Sequence, residues 1–293
     1  MTQTVPSAVP ATVAVVQGYL ADLGRGDLEA AGARFAEDLV YLVAGRNQLA
    51  GETRGPDAAG RWFAAMGELS GGTYRVTSAV DWLASDSHAV LLAEEHGTVA
   101  GRQHDWTRAI VFTVDDGLIH RVQLLEDDQY GYDAWLTGAP DASVGDNAGS
   151  DEPIPGGPPQ MSGDLDDPRV RAVLSYQRQV GAGDLDSARA IFWPDVTYTV
   201  PGHSQLAGTY HGPDEVMGYF GKLFEFTGGT YTISQMQWTT SADRVGLLTR
   251  NHATRYGKSL AWDELIVFTF VDGRKKSIAH FSGDQYGVDE LFA

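Results

Sequence analysis

The sequence predicts an α+β protein of two tandem cone-shaped barrels. Each has three N-terminal helices on a curved, mainly antiparallel sheet, and the two pack as a pseudo-dimer. Three observations carry that expectation. First, one unit is written twice: "GDLEAAGARFAEDLVYLVAG" from Gly26 aligns with "GDLDSARAIFWPDVTYTVPG" from Gly183, and "QLAGETRGPDA" from Gln48 with "QLAGTYHGPDE" from Gln205. The offset is 157 between Asp27 and Asp184 and 156 between Asp128 and Asp284, so one residue is lost between the third helix and the later strands of the second copy. A period this long marks a duplicated domain, since solenoid units run to roughly 20–50 residues. Second, helix-spaced signals precede strand-like runs in each copy, which is the order of an α+β layer fold. Third, a stretch rich in Gly, Pro, Ser and Asp separates the copies. That composition is typical of a linker. The expected division is 8–140 for the first domain, 141–164 for the linker and 165–293 for the second domain.

The elements follow in order. "TVAVVQGYLADLGRGD" and "RVRAVLSYQRQVGAGD" space their apolar residues as one face of a helix and close on glycine, a common helix stop. A short second helix, "LEAAGARF" or "LDSARAIF", leads into a first strand, "LVYLVAG" or "VTYTVPG". After a Gly-rich crossing, "GPD" opens a third helix, with Pro at an early position where its missing N–H costs nothing. β-rich runs then cover Thr73–Leu83, His88–Val99, Asp105–Val114 and Leu118–Glu126. Each copy ends on an acidic, tyrosine-bearing, amphipathic phrase, "DDQYGYDAWL" at 127–136 and "GDQYGVDELF" at 283–292.

Composition removes several function classes. The chain has no cysteine, so disulfides, thiolate nucleophiles and Cys-ligated metals are excluded. A formal net charge of −18 opposes binding to nucleic acid, which relies on clustered Lys and Arg. No apolar run reaches the roughly 20 residues that span a bilayer. The N-terminus has no basic stretch before its apolar part, unlike a signal peptide, so a cytoplasmic location is expected. There is no P-loop, dinucleotide glycine fingerprint, serine nucleophile elbow or zinc-type histidine spacing. The expectation is chemistry without cofactor or metal.

The hairpins "HGTVAGRQHDW" and "HATRYGKSLAW" are the most informative local features. A turn centred on Gly101 or Gly257 sets His96 opposite Trp106, Glu94 opposite Arg108, His252 opposite Trp262, and Arg250 opposite Glu264. The charges exchange sign between copies at conserved positions, as expected of cross-strand neighbours. Period-two alternation would then gather a His, a Trp, an acid and a base on one face of each sheet. The bland reading is a structural ion pair and a core or interface histidine. Tyr41 and Tyr198, on the first strand of each copy, join Trp106 and Trp262 as candidate ligand contacts, and His203 sits at the expected mouth.

The "GD" turn, the "LAGxxxGPDA" crossing, the curved sheet and a last strand running into "DQY" resemble the SnoaL-like polyketide cyclases. These belong to the wider nuclear-transport-factor-2-like and ketosteroid-isomerase-like superfamily. The resemblance covers nearly the whole chain, twice. It implies a hydrophobic small-molecule substrate and cofactor-independent acid/base chemistry, either cyclisation or epoxide opening. It also implies an acid/base aspartate at the end of the last strand, here Asp128 and Asp284; the hairpins add His96 and His252 as polarising or hydrogen-bonding partners. An isomerase-type base on the first strand has no counterpart, because "VYLVAG" and "TYTVPG" carry no carboxylate there. Both aspartates also stand where a helix N-cap belongs; Asp133 and Asp289 are expected to be solvated. His280 shares a strand face with Asp284, but its counterpart is Leu124. The competing classes are a non-catalytic protein sequestering a hydrophobic molecule and a structural partner module. A chain that pairs its own halves is satisfied as a monomer.

Overall fold

The computed structural model describes residues 9–138 and 156–293. The first copy builds α1 (Ala11–Gly24), α2 (Leu28–Gly32), β1 (Phe35–Val43), β2 (Gly51–Arg54), α3 (Ala58–Leu69), β3 (Arg75–Ala84), β4 (His88–Val99), β5 (Arg102–Asp115), β6 (Leu118–Glu126) and α4 (Gln129–Thr137). The second builds β7 (Gln160–Gly163), α5 (Pro168–Gly181), α6 (Leu185–Arg189), β8 (Phe192–Val200), β9 (Gly208–His211), α7 (Gly212–Thr227), β10 (Thr232–Thr240), β11 (Arg244–Arg255), β12 (Lys258–Val271), β13 (Arg274–Ser282) and α8 (Gln285–Leu291). Among the described residues no helix is long and apolar enough to cross a membrane.

Local chemistry explains the starts of the elements. Asp27 and Asp184, from the repeated "GD", cap α2 and α6 by accepting the N–H of Ala30 and Ser187. Asp167 caps α5 ahead of Pro168. On α1 the buried Val13, Val16 and Tyr19 fall at helical spacing, so one stripe faces the sheet.

In each half the first strand runs parallel to the last, and, β7 apart, the other pairings are antiparallel. The halves join edge to edge through the Ala84–Thr240 pair, giving the order β2-β1-β6-β5-β4-β3-β10-β11-β12-β13-β8-β9. Most of the expected linker lies outside the described residues. Its final part does not stay unpaired: β7 runs parallel to β10, with Met161 opposite Met236. Gly163 permits that approach, because a Cβ there would come within 2.0 Å of the Trp238 carbonyl oxygen.

Each cone has its own core between helices and concave sheet, and a third cluster lies between the convex faces. Leu83, Val90, Leu92, Val111 and Leu125 meet Leu265, Val267 and Phe281 there. Polar contacts at the seam include Arg244 and Ser241, both on Asp81 at 2.8 and 2.7 Å.

The twin phrases meet across the pseudo-dyad. Tyr130 and Tyr286 lie 4.3 Å apart by ring centroids, and Tyr130 stacks on His203 at 4.0 Å. Asp133 and Asp289 are buried, contrary to the expectation that they are solvated. Asp133 accepts from the Arg46 N–H, Asn47 Nδ2, Gln129 Nε2 and, from the other half, the Tyr286 hydroxyl at 2.8 Å. Asp289 accepts from the N–H groups of His203 and Ser204. Gly45 and Gly202 let the crossing come this close, since a Cβ at either would lie within 2.6 Å of those carboxylates.

Candidate active site

Both long hairpins turn on two residues. Ala100–Gly101 and Tyr256–Gly257 all have positive φ, the signature of a type I′ turn. Pairing is therefore Val99 with Arg102 and Arg255 with Lys258, one residue away from a register centred on the glycine. A one-residue slip sends every side chain to the other face. His96 pairs with Asp105 and Glu94 with Thr107; His252 pairs with Ala261 and Arg250 with Asp263.

The expected four-residue patch is thus split in each half. Trp106, Arg108, Trp262 and Glu264 face the concave side, while Glu94, His96, Arg250 and His252 lie on the convex side. Glu94 is exposed, and His96 bonds Asp105 through Nδ1 at 2.7 Å. Arg250 reaches Asp263 at 3.2 Å, and His252 bonds Ser234 at 2.9 Å. Neither histidine enters a cone.

Asp128 and Asp284 are caps. Asp128 accepts from the Gly131 N–H at 3.0 Å and Asp284 from the Gly287 N–H at 2.9 Å. The "DDGL" hairpin combines a two-residue Asp116–Gly117 turn with a bulge between Thr113 and Val114. That bulge restores concave parity by Asp128, but the pleat ends first: the Asp127 N–H bonds the Thr107 carbonyl and the chain then coils into α4. His203 contributes its backbone and ring to the seam between the halves and is not among the cavity-lining residues.

Corresponding concave positions of the two cones carry different chemistry. In the first, Arg108 is fully buried between Glu95 and Glu126, each within 2.8 Å of its guanidinium. Trp62, Tyr132 and Trp106 surround the guanidinium at 5.2, 5.1 and 5.6 Å. Tyr74 donates its hydroxyl to Glu95, and Tyr41 packs on Trp62. Burial pushes the Glu126 carboxyl up to about 8 despite Arg108, and raises Glu95 as well. One cation between two carboxyls, one of which keeps its proton, is electrically closed. Trp135 and Tyr132 of α4 plug the space over Trp106 at 4.9 and 5.2 Å.

In the second cone Tyr132 and Trp135 are replaced by Val288 and Leu291, and Glu95, Arg108 and Glu126 by Asn251, Glu264 and Ser282. These smaller side chains leave a cavity of about 930 Å³, within the range of small-molecule sites. Its walls include Tyr198, Tyr219, Tyr231, Trp262, Ile266 and Phe268.

One hydrogen-bonded run crosses the wall of this cavity. Tyr198 Oη and His280 Nε2 are 2.6 Å apart, and His280 Nδ1 and Glu264 Oε1 are 2.5 Å apart. Asn251 donates Nδ2 to Glu264 Oε2 at 3.1 Å, and the Tyr231 hydroxyl donates to Asn251 Oδ1 at 3.0 Å. A carboxylate on Nδ1 assigns the ring proton to that nitrogen and leaves the Nε2 lone pair for the tyrosine. Burial, with Glu264 adding to it, raises Tyr198 and Tyr231 well above the usual phenol range, so both are hydrogen-bond donors. Among the described residues no three His, Asp or Glu groups converge as metal ligands.

The run depends on parity more than on any motif. Trp262 and Glu264 alternate inward on β12, and Ile278, His280 and Ser282 on β13. Glu95 and Asn251 leave no sequence signal because a register centred on the turn glycine places them on the convex face, whereas Glu126, Tyr74 and Tyr231 lie on or beside other strands and carry no motif. The inequality of Leu124 and His280 was the legible trace of divergence between the copies.

The chain is a tandem member of the SnoaL-like domain family, whose sequence profile matches residues 16–122 and 173–278. It is similar to an uncharacterised protein of Mycobacterium tuberculosis (strain H37Rv), with 31% identity over 134 residues, 45% of this chain and all of that one. Among solved structures it is similar to Bal32a from a soil-derived mobile gene cassette, at 29% identity over 43% of this chain and 98% of that chain, with a TM-score of 0.41. A putative polyketide cyclase from Xanthomonas campestris matches at 21% identity over 43% of this chain and 97% of that chain, with a TM-score of 0.34.

Proposed function

We propose that the second cone is a cofactor-independent acid/base site for a polyketide-like, largely apolar molecule bearing a carbonyl, and that the first cone is its packed structural partner. The carrying observation is the Tyr198–His280–Glu264 run on the wall of an apolar cavity. In this reading Glu264 fixes the tautomer and orientation of His280. Nε2 takes a proton from carbon next to the carbonyl, or returns one, when substrate displaces the Tyr198 hydroxyl. Tyr198 and Tyr231, kept protonated by burial, donate to the oxygen on which charge develops. Enolate formation of this kind underlies aldol-type ring closure, and the same groups would suit epoxide opening. The acid/base role that the family resemblance gave to Asp284 moves to His280, four residues earlier in the chain.

The test is deuterium exchange at the α-carbon of 2-tetralone in heavy water, followed by proton NMR. Wild type should accelerate exchange, and His280→Gln and Glu264→Gln should lower the rate by about 10²–10⁴, the usual contribution of a general base. Tight binding of 2-tetralone with no acceleration by the wild type would instead favour sequestration, which needs the apolar cavity but not the run.

A further inference from the structure

Lys275 stands on the same cavity wall, and among the described residues no acid pairs with it. The β12–β13 pairing shifts between Thr269 and Phe270, which places Lys276 in a bulge. Lys276 therefore turns outward to a salt bridge with Asp195, and Lys275 turns inward. Its Nζ lies 4.3 Å from the ring centroid of Phe268, 4.5 Å from Tyr176 and 5.6 Å from Phe192, and the residue is only 2% exposed. The first copy has Ile119 at this position, buried in its core, so the fold does not require an amine here. Burial alone brings the ammonium down to about 7, leaving much of the amine unprotonated and nucleophilic near neutrality. Lys275 and His280 are five steps apart along β13, at most about 16 Å at about 3.3 Å per residue. A ligand filling the cavity would meet both.

We propose that the Lys275 amine condenses with an aldehyde or ketone carbonyl of a molecule held in the second cone, forming an imine; this rests on the cavity being a small-molecule site. The Nζ lone pair forms the C–N bond, the carbonyl π pair moves to oxygen, and a proton shifts from nitrogen to that oxygen. The carbinolamine then loses its hydroxyl with the remaining N–H proton as water and leaves C=N. Nothing is oxidised or reduced.

The experiment treats the full chain with 2-naphthaldehyde and sodium cyanoborohydride, whose hydride converts the imine to a stable secondary amine. Intact mass and peptide mapping then locate the adduct. The chain has four lysines, and Lys222 and Lys258 are exposed. The expected result is a single adduct at Lys275, forming faster as pH rises through about 7, suppressed by competing 2-naphthol and lost in Lys275→Met. The wild-type peptide map decides the matter even if that variant does not fold. Adducts only at Lys222, Lys258, Lys276 or the amino terminus, with 2-naphthol still bound in the cavity, overturn the imine and leave the cavity reading intact. Failure of both 2-naphthol binding and trapping at Lys275 overturns both.

Discussion

At the scale of single residues, Asp128 and Asp284 separate capping from catalysis. Each accepts one backbone N–H at the start of a short terminal helix. Replacing either by Ala should cost about 1 kcal/mol in urea unfolding, while 2-tetralone exchange continues at the wild-type rate. Loss of exchange with stability intact would restore the acid/base role. Glu126 gives a pH signature. Burial raises its carboxyl from 4.5 to about 8, so the folded chain binds this proton more tightly than the unfolded chain. Between those values the folded state holds more protons, and stability falls as pH rises. Urea midpoints of the wild type should therefore decline across that window, and Glu126→Gln should decline less. Equal slopes would show that the Glu95–Arg108–Glu126 cluster does not retain the proton.

At the scale of elements, the decisive feature is the two-residue hairpin. Ala100 has φ of 50° and Tyr256 of 51°, a conformation that costs an ordinary side chain roughly 1–2 kcal/mol. Ala100→Asn should stabilise the first cone by about 0.5–1 kcal/mol, since Asn tolerates this region at the first position of a type I′ turn. A turn centred on Gly101 alone would leave residue 100 extended, and the substitution would then destabilise. The same turn shows how much the sequence could tell. The duplication, the order of helices and strands, the span of β4 and β6 and the closing helices were all legible, because helical spacing, glycine stops and the repeat agree. The face of each hairpin residue was not, because an Ala or a Tyr in a left-handed conformation leaves no pattern. Nor was the inward turn of Lys275, which comes from the unpaired Lys276 in a bulge. Trp106, Trp262, Arg108 and Glu264 could be picked out by type and repetition, whereas their true neighbours required the register.

At the scale of the whole molecule, duplication has let the halves diverge in kind. One cone buries an Arg between two Glu side chains under two aromatic plugs. The other exchanges the plugs for Val288 and Leu291 and opens about 930 Å³. The two remain tied by the convex-face core and by Tyr286 on Asp133, so the packed cone supports the open one. Isothermal titration of the full chain with 2-naphthol should accordingly give one site per chain. Two equivalent sites would mean that the first cone also opens.

The central claim is that the second cone binds a carbonyl compound against Tyr198 and His280. A crystal structure of the full chain with bound 2-tetralone tests it most directly. The claim predicts the ring system between Tyr219, Trp262 and Ile266, with its oxygen within hydrogen-bond reach of Tyr198, Tyr231 or His280. Density for the probe in the first cone beside Arg108, or only on the convex face near His252, would contradict it.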